Sequence, residues 1–536
     1  MKMIPLLVAA AAIGGGMSTL NAGAQEKMTM LTLPIEGRGN ARVEHLGKSI
    51  DRMIYEFMEK ENIPGMTLAI VQAPYIPRVV GYGVADAETG QLASTKTLWP
   101  AGPISQAYNA VAVMQLFERG RLKLDAPIAE YLKDLPEAWR RVTVYQLLQH
   151  ASGIADYRDS EKFSTQQDFR PAELIAMVSE VPLAFQPGTD VKQSATNFLL
   201  LAEIVEAASG QSYHDFVTEN QIRHLGLRRT MFREDFAQLA NEAITPENPK
   251  HSRFTQDGKY IDPTEPAAGT IATAAGLSPA APLHSSTLKG FGDIWASAED
   301  ISTWDIGLAG GILINKPENR ALIYQPTKLA NGKTVPAMAG WQFQRHKGLM
   351  DIKGTVPGYS AFLSRFTAPD ELVCVTLMCN REGVDLSNLA RRVASAFGGK
   401  LASGIDDNLF YTQESIFDVP ETVARLEAGL KSRNIPVFAK FDHAQNASQV
   451  GMNLEPSTVL VFGSPAIGTK LMQDNPAFAQ ELPLKIAVWQ DGNGSVWATA
   501  PRMDVIAQRY GMENSPVIAA MQKLLQTLVH DAANLY

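Results

Sequence analysis

Between Gly399 and Gln413 the apolar patterning of the chain lapses into a polar stretch rich in small residues, with Ser403-Gly404 and Asp406-Asp407-Asn408 inside it. That break is the strongest constraint on the fold. A chain of 536 residues exceeds the roughly 250–300 residues over which one hydrophobic core keeps growing. Short polar linkers are also where few contacts cross. The chain is therefore expected to form one unit over 40–398, a linker over 399–413, and a second unit over 414–536 with strands, helices and apolar residues of its own. A content of 45% hydrophobic and 19% charged residues is that of an ordinary globular protein. The net charge of -8 is mild for this length and argues against nucleic acid as a partner.

The first residues read as a processing segment. Lys2 precedes an apolar run from Met3 to Ile13, and Ala22-Gly23-Ala24 places small residues before Gln25. That is the pattern of a secretory signal peptide over 1–24, cut after Ala24. The run is short and broken by glycines, which disfavours a membrane anchor, and no later stretch is long enough to span a bilayer. A periplasmic or secreted protein without a membrane span is expected. Cys374 and Cys379 share one apolar run that reads as a buried strand. Positions an odd number apart on a strand face opposite sides, so core thiols are expected rather than a disulfide, even in an oxidising compartment. No Cys/His cluster has zinc-site spacing; neither metal nor cofactor is expected.

Along the first unit, a helical pattern through Ile50–Met58 precedes a strand over Ile63–Val71, then a second strand and a turn over Gly81–Gly90. The Gly81-Tyr82-Gly83 triplet lacks a glycine-rich helix entry behind it, so it reads as part of a hairpin and not as a nucleotide loop. The middle is mainly helical. Gly354–Leu363 and the cysteine run read as the last strands, and Arg391–Phe397 as a closing helix.

The segment Trp99-Pro100-Ala101-Gly102-Pro103-Ile104-Ser105-Gln106, continuing through Met114-Gln115-Leu116 to Gly120-Arg121-Leu122-Lys123-Leu124-Asp125, resembles the first active-site helix of the serine β-lactamase-like proteins. That family covers class C β-lactamases, DD-peptidases and related esterases. The resemblance spans about Ser49 to Phe397. It implies an α/β (α+β) fold, a β-lactamase-like antiparallel sheet with an all-helical subdomain. In the family this helix opens with Ser-x-x-Lys, the serine attacking a carbonyl and the lysine taking part in proton transfer. Here the nucleophile position falls on Pro103 and the lysine position on Gln106. Proline has no hydroxyl, and an amide is no base near neutral pH. Leu147-Leu148-Gln149-His150-Ala151-Ser152-Gly153 resembles the family's Leu-Leu-x-His-x-Ser-Gly, whose histidine and serine are structural, and the same is expected of His150 and Ser152.

The family's second motif, Tyr-x-Asn, falls between Phe185-Gln186-Pro187-Gly188-Thr189 and Asn197-Phe198-Leu199. Gln193 and Ala195 occupy its two positions. Its third, Lys-Thr-Gly or His-x-Gly, falls on Ile352-Lys353-Gly354, where only the glycine survives. Lys353 is one place out of register, which on a strand points it to the opposite face. No catalytic residue is therefore assigned. Two serines remain as rival nucleophiles for a rebuilt centre: Ser105, whose i+3 partner is Tyr108, and Ser286, which opens Ser286-Thr287-Leu288-Lys289.

In the second unit, Val459–Pro465, Gly468–Met472 and Leu482–Trp489 resemble a small α/β family catalogued only as a domain of unknown function, number three hundred and two. Asp442-His443 is its candidate binding pair, although such a pair is more often a helix-entry cap. The expected function is that of an exported, catalytically inactive relative of the β-lactamases whose cleft binds a peptide, a cell-wall fragment or a protein partner. The alternatives are an active serine hydrolase with a rebuilt centre, and a function carried by the second unit.

Overall fold

The computed structural model describes residues 44–45, 48–72, 75–236, 266–273, 275–345, 349–366, 373–396 and 403–536. The signal-peptide reading over 1–24 lies outside them. Along the first unit, the elements that position the site begin with helix α1 (Ile50–Glu61), strand β1 (Gly65–Gln72), β2 (Tyr75–Asp86) and β3 (Gln91–Leu92). Helices α2 (Ser105–Glu118), α3 (Val144–Leu148), α4 (Ala195–Ser209) and α5 (Ala298–Ala309) follow. Then come β4 (Ala337–Met338), β5 (Trp341–Phe343), β6 (Leu349–Val356), β7 (Tyr359–Phe366), β8 (Val373–Cys379) and α6 (Ser387–Ser395).

These strands form one eight-stranded sheet in the order β4-β5-β6-β7-β8-β1-β2-β3, with antiparallel pairing throughout. Alternation along each strand gives the sheet two apolar faces. Leu68, Ile70, Phe362, Val375 and Leu377 pack with Ile50, Met53, Ile54 and Met58 of α1 and with Leu389 and Val393 of α6. Ala69, Ile352, Leu363 and Met378 pack against the helical body on the other side. The α1 residues recur at i, i+3, i+4 and i+8, one stripe of a helix lying on a sheet. Cys374 and Cys379 are buried thiols and form no disulfide, as their spacing implied.

Helix α2 is of a different kind. Every residue from Ser105 to Leu116 is buried, so it is a core helix enclosed on all sides, and its polar residues must find partners inside the protein. Asn109 does so, donating from Nδ2 to the carbonyls of Phe198 (2.8 Å) and Gly290 (3.1 Å). Helix α3 starts at a capping box, with Thr143 Oγ1 accepting from Gln146 N and Gln146 Oε1 accepting from Thr143 N. It runs out at His150, which takes a left-handed conformation with φ 54°.

The second unit contains β9 (Phe410–Ser415), α7 (Val419–Ser432), β10 (Val437–Asp442), α8 (His443–Gln449), β11 (Ser457–Phe462), β12 (Leu484–Gln490), β13 (Val496–Pro501) and α9 (Pro516–Ala533). Its sheet runs β9-β13-β12-β11-β10, antiparallel throughout. Leu426 and Leu430 of α7, Leu525 and Val529 of α9, and Leu460, Ile486 and Val488 of the strands share one core. This is the small α/β unit the sequence suggested. Its first strand opens at Phe410, inside the stretch read as linker.

Polar side chains do pair across the seam between the units. Arg391 of α6 is 2% exposed and pairs with Glu414 of β9 at 2.9 Å and with Asp351 of β6 at 3.4 Å. Arg502 reaches Glu61 of α1 at 3.2 Å, and Asn388 bonds the Thr412 carbonyl. Composition marks where the chain loses apolar patterning, but not which polar side chains pair across the seam.

Candidate functional site

Pro103 lies in a single 3-10 turn, Gly102–Ile104, that leads directly into α2. The turn is fixed from outside, because Trp99–Pro100 pairs with Ile294–Ala296 and the Ala101 amide donates to the Ile294 carbonyl at 2.8 Å. A proline fits a first turn, where its missing N–H would have had no helical partner. Strand β6 passes close beside it. A Cβ on Gly354 would sit 2.5 Å from Pro103 Cγ, so only glycine permits this approach. One turn on, a Cβ on Gly340 would lie 2.8 Å from Ile352 Cδ1 and 3.3 Å from Gln106 Cβ. Pro103, Gln106, Ile352 and Gly354, chosen from separate motifs, therefore converge in space. Lys353 points to the other face, as its register required, with Nζ 3.0 Å from Ser387 Oγ and 3.8 Å from Asp351.

Gln106 is fully buried, and its Oε1 lies 2.8 Å from His150 Nε2. On the other side of the ring, Nδ1 faces the Ser194 amide at 3.3 Å and Asn197 Nδ2 at 3.1 Å. Two donors at Nδ1 leave the ring proton on Nε2, donating to Gln106. Burial pushes His150 down to about 3, with the Asp156 carboxylate opposing that shift, so the ring is neutral at ordinary pH. Ser152 Oγ donates to Asn197 Oδ1 at 2.6 Å. His150 and Ser152 thus tie α2, α3 and α4 together, the structural role expected of them. Ala195 opens α4, its amide donating to Asp156 Oδ2 at 3.0 Å, while Gln193 is half-buried just before it.

Both rival serines accept hydrogen bonds from backbone amides. Ser105 is fully buried in the first turn of α2, and its Oγ accepts from the Ile294 amide at 3.2 Å. Ser286 Oγ lies 2.9 Å from His284 Nδ1 and accepts from the Phe169 amide at 3.0 Å. Asp168 approaches that same Nδ1, at 3.6 Å. A relay needs the serine and the carboxylate on opposite nitrogens of the ring, so this cluster is a cap on the turn Ser285–Leu288. Lys289 turns away to Glu203 and Glu206, at 2.7 and 2.8 Å.

In the second unit the Asp442 carboxylate accepts from the Gln445 amide at 2.9 Å, capping α8, whose first residue is His443. Both are exposed. Among the described residues no group of three or more His, Cys, Asp and Glu side chains is placed to hold a metal, and no helix is long and apolar enough to cross a membrane.

Sequence reasoning missed one participant. After α9 the chain leaves the second unit and enters the first, where Leu535 and Tyr536 pack against Ala151, Val191, Leu329, Val335 and Ala337. The Tyr536 ring meets His150 edge-on, with centroids 5.2 Å apart. An apolar-aromatic pair following a long amphipathic helix was visible in the sequence; its destination was not.

The sequence model of the family described as Beta-lactamase matches residues 50–397. The chain belongs to that family. The model described as Domain of unknown function DUF302 matches residues 411–528. "Penicillin-binding protein 4*" of Bacillus subtilis is 25% identical over 302 residues, 53% of this chain and 61% of that protein. "Fluoride-specific ion channel FluC 1" of Brucella suis is 39% identical over 123 residues, 23% of this chain and 48% of that one. The β-lactamase-family chain thus spans roughly half to three-fifths of these curated relatives. Among solved structures, the octameric penicillin-binding protein homologue from Pyrococcus abyssi superposes with a TM-score of 0.55 at 17% identity, over 84% of this chain and 99% of that one. At that identity the likeness speaks for the fold.

Proposed function

We propose that this β-lactamase-family chain is an exported pseudoenzyme whose cleft binds a peptide, a cell-wall fragment or a partner protein instead of being acylated by it. One observation carries the reading. At the meeting point of the family's first and third motifs stand Pro103 and Gly354 in close contact, with Gln106 bonded to a neutral imidazole where the lysine would be. Acyl transfer through this fold needs a hydroxyl to form the ester and a base to take its proton. The aligned positions supply neither, and the nearest alternatives, Ser105 and Ser286, are committed to backbone amides. Loss of the acyl-transfer groups leaves binding as a role for the same fold, since a fold and its chemistry are separable.

A broad fluorophosphonate probe tests this. The account expects no label on the folded protein. A stoichiometric label mapped to Ser105, Ser286 or any other serine would favour a hydrolase with a rebuilt centre.

A further inference from the structure

The end of the second unit meets the first domain beside His150. Asn534 is an anchor. Its Nδ2 donates to Gln413 Oε1 at 2.6 Å, its carbonyl accepts from Arg425 Nη2 at 2.8 Å, and it is 2% exposed. Both of these partners belong to the second unit, while its Oδ1 accepts from Gln342 Nε2 of the first domain at 3.5 Å, so Asn534 sits on the seam itself. Leu535 and Tyr536 reach beyond it into the first domain. There the Leu535 amide donates to Gln342 Oε1 at 2.7 Å, and the two side chains fill an apolar groove walled by Ala151, Val191, Leu329, Val335 and Ala337. The groove ends at His150, whose far nitrogen is bonded to Gln106. It is thus one side chain away from the position of the lost lysine.

The fit is incomplete in one respect. The Tyr536 hydroxyl is buried and has no hydrogen-bond partner. An orphaned buried hydroxyl is destabilising, so this site accepts an aromatic ring but provides nothing for its oxygen. A seam built only to join two domains has no need of such a pocket. A backbone-reading amide, an apolar trough and a ring-sized end are instead the parts by which an extended peptide is recognised.

We propose that this groove is a peptide-binding site, held in cis by Leu535-Tyr536, and that an incoming peptide carrying an aliphatic residue followed by an aromatic one displaces them. The inference rests on the binding reading given above and narrows its ligand to a peptide. The segment sets the apparent affinity, because a ligand sees only the fraction of molecules whose groove is vacant.

The test uses fluorescein-labelled Asp-Ala-Ala-Asn-Leu-Tyr, its counterpart ending in Phe, and a scrambled control. Anisotropy is read on the full chain, on a chain ending at Asn534, and on Tyr536→Ala. The shortened chain is expected to bind the first peptide saturably, about tenfold or more tighter than the full chain. The Phe peptide should bind tighter still, since it brings no orphan hydroxyl, and the scrambled control should not compete. Equal affinity for full and shortened chains, or for scrambled and native peptide, overturns the proposal. So does loss of cooperative melting in both the shortened chain and Tyr536→Ala, because an exchangeable occupant is dispensable to the fold. Penicillin is added to the shortened chain in parallel. An adduct there would contradict the pseudoenzyme reading and leave the groove assignment standing, so the two failures are distinguishable.

Discussion

Two buried ionisable side chains give the first domain opposite responses to pH. His150 is held neutral by burial, down to about 3. Between there and the ordinary imidazole value, near 6.5, the unfolded chain binds the proton and the folded one does not, so stability falls as pH drops through that window. Asp293 behaves in reverse. Burial pushes its carboxyl up to about 7, against the opposing Gly290 amide, which donates to it at 2.7 Å. From about 4 to 7 the folded chain holds this proton more tightly, so Asp293 costs stability as pH rises. Asp293→Asn removes that cost. Its melting temperature relative to the natural chain should be several degrees more favourable at pH 7.5 than at pH 4; an equal difference at both pH values would contradict the assignment.

The 3-10 turn and first turn of α2 carry the proposed reading, and Pro103 and Gln106 differ in how they should tolerate substitution. Pro103→Ser replaces a ring at a first-turn site by a small side chain beside Gly354. It should shift the melting temperature only slightly, and it should not restore β-lactam hydrolysis. Gln106→Lys places an ammonium in a fully buried site facing the His150 N–H, and an unpaired buried charge is costly. A loss of about 3 kcal/mol or more is expected, read as a large drop in melting temperature. Strong hydrolysis by Pro103→Ser alone would mean that a base is already in place. This element was legible in the sequence because an unbroken buried helix and its flanking motifs are local patterns. Likewise, the alternation of β6 correctly sent Lys353 away from Ile352 and Gly354. His150 was legible as structural, but its bond to Gln106 was not, since nothing in either segment specifies a contact 44 residues distant.

At the scale of the whole molecule, the two domains are joined by buried charge as well as by a covalent link. The sequence showed where the chain divides, through a lapse in apolar patterning. It could not show the seam, because Arg391, Asp351 and Glu414 each look like ordinary surface residues until folding brings them together. Arg391→Met would remove the guanidinium shared by Glu414 and Asp351, which are 1% and 0% exposed. Removing one partner from such a network costs about 3–5 kcal/mol, so the thermal midpoint should fall sharply and recover in part on adding Glu414→Gln. An unchanged midpoint would show the network to be incidental. The same limit on local patterns hid Leu535-Tyr536, whose partners lie far away along the sequence.

Intact-mass spectrometry of the folded chain after prolonged incubation with penicillin addresses the central claim most directly. If Pro103 and the Gln106–His150 pair stand where the proposed reading puts them, in place of nucleophile and base, the spectrum is expected to be identical to that of the untreated protein. A mass increase of one penicilloyl group, retained after unfolding and mapped to a serine peptide, would contradict it.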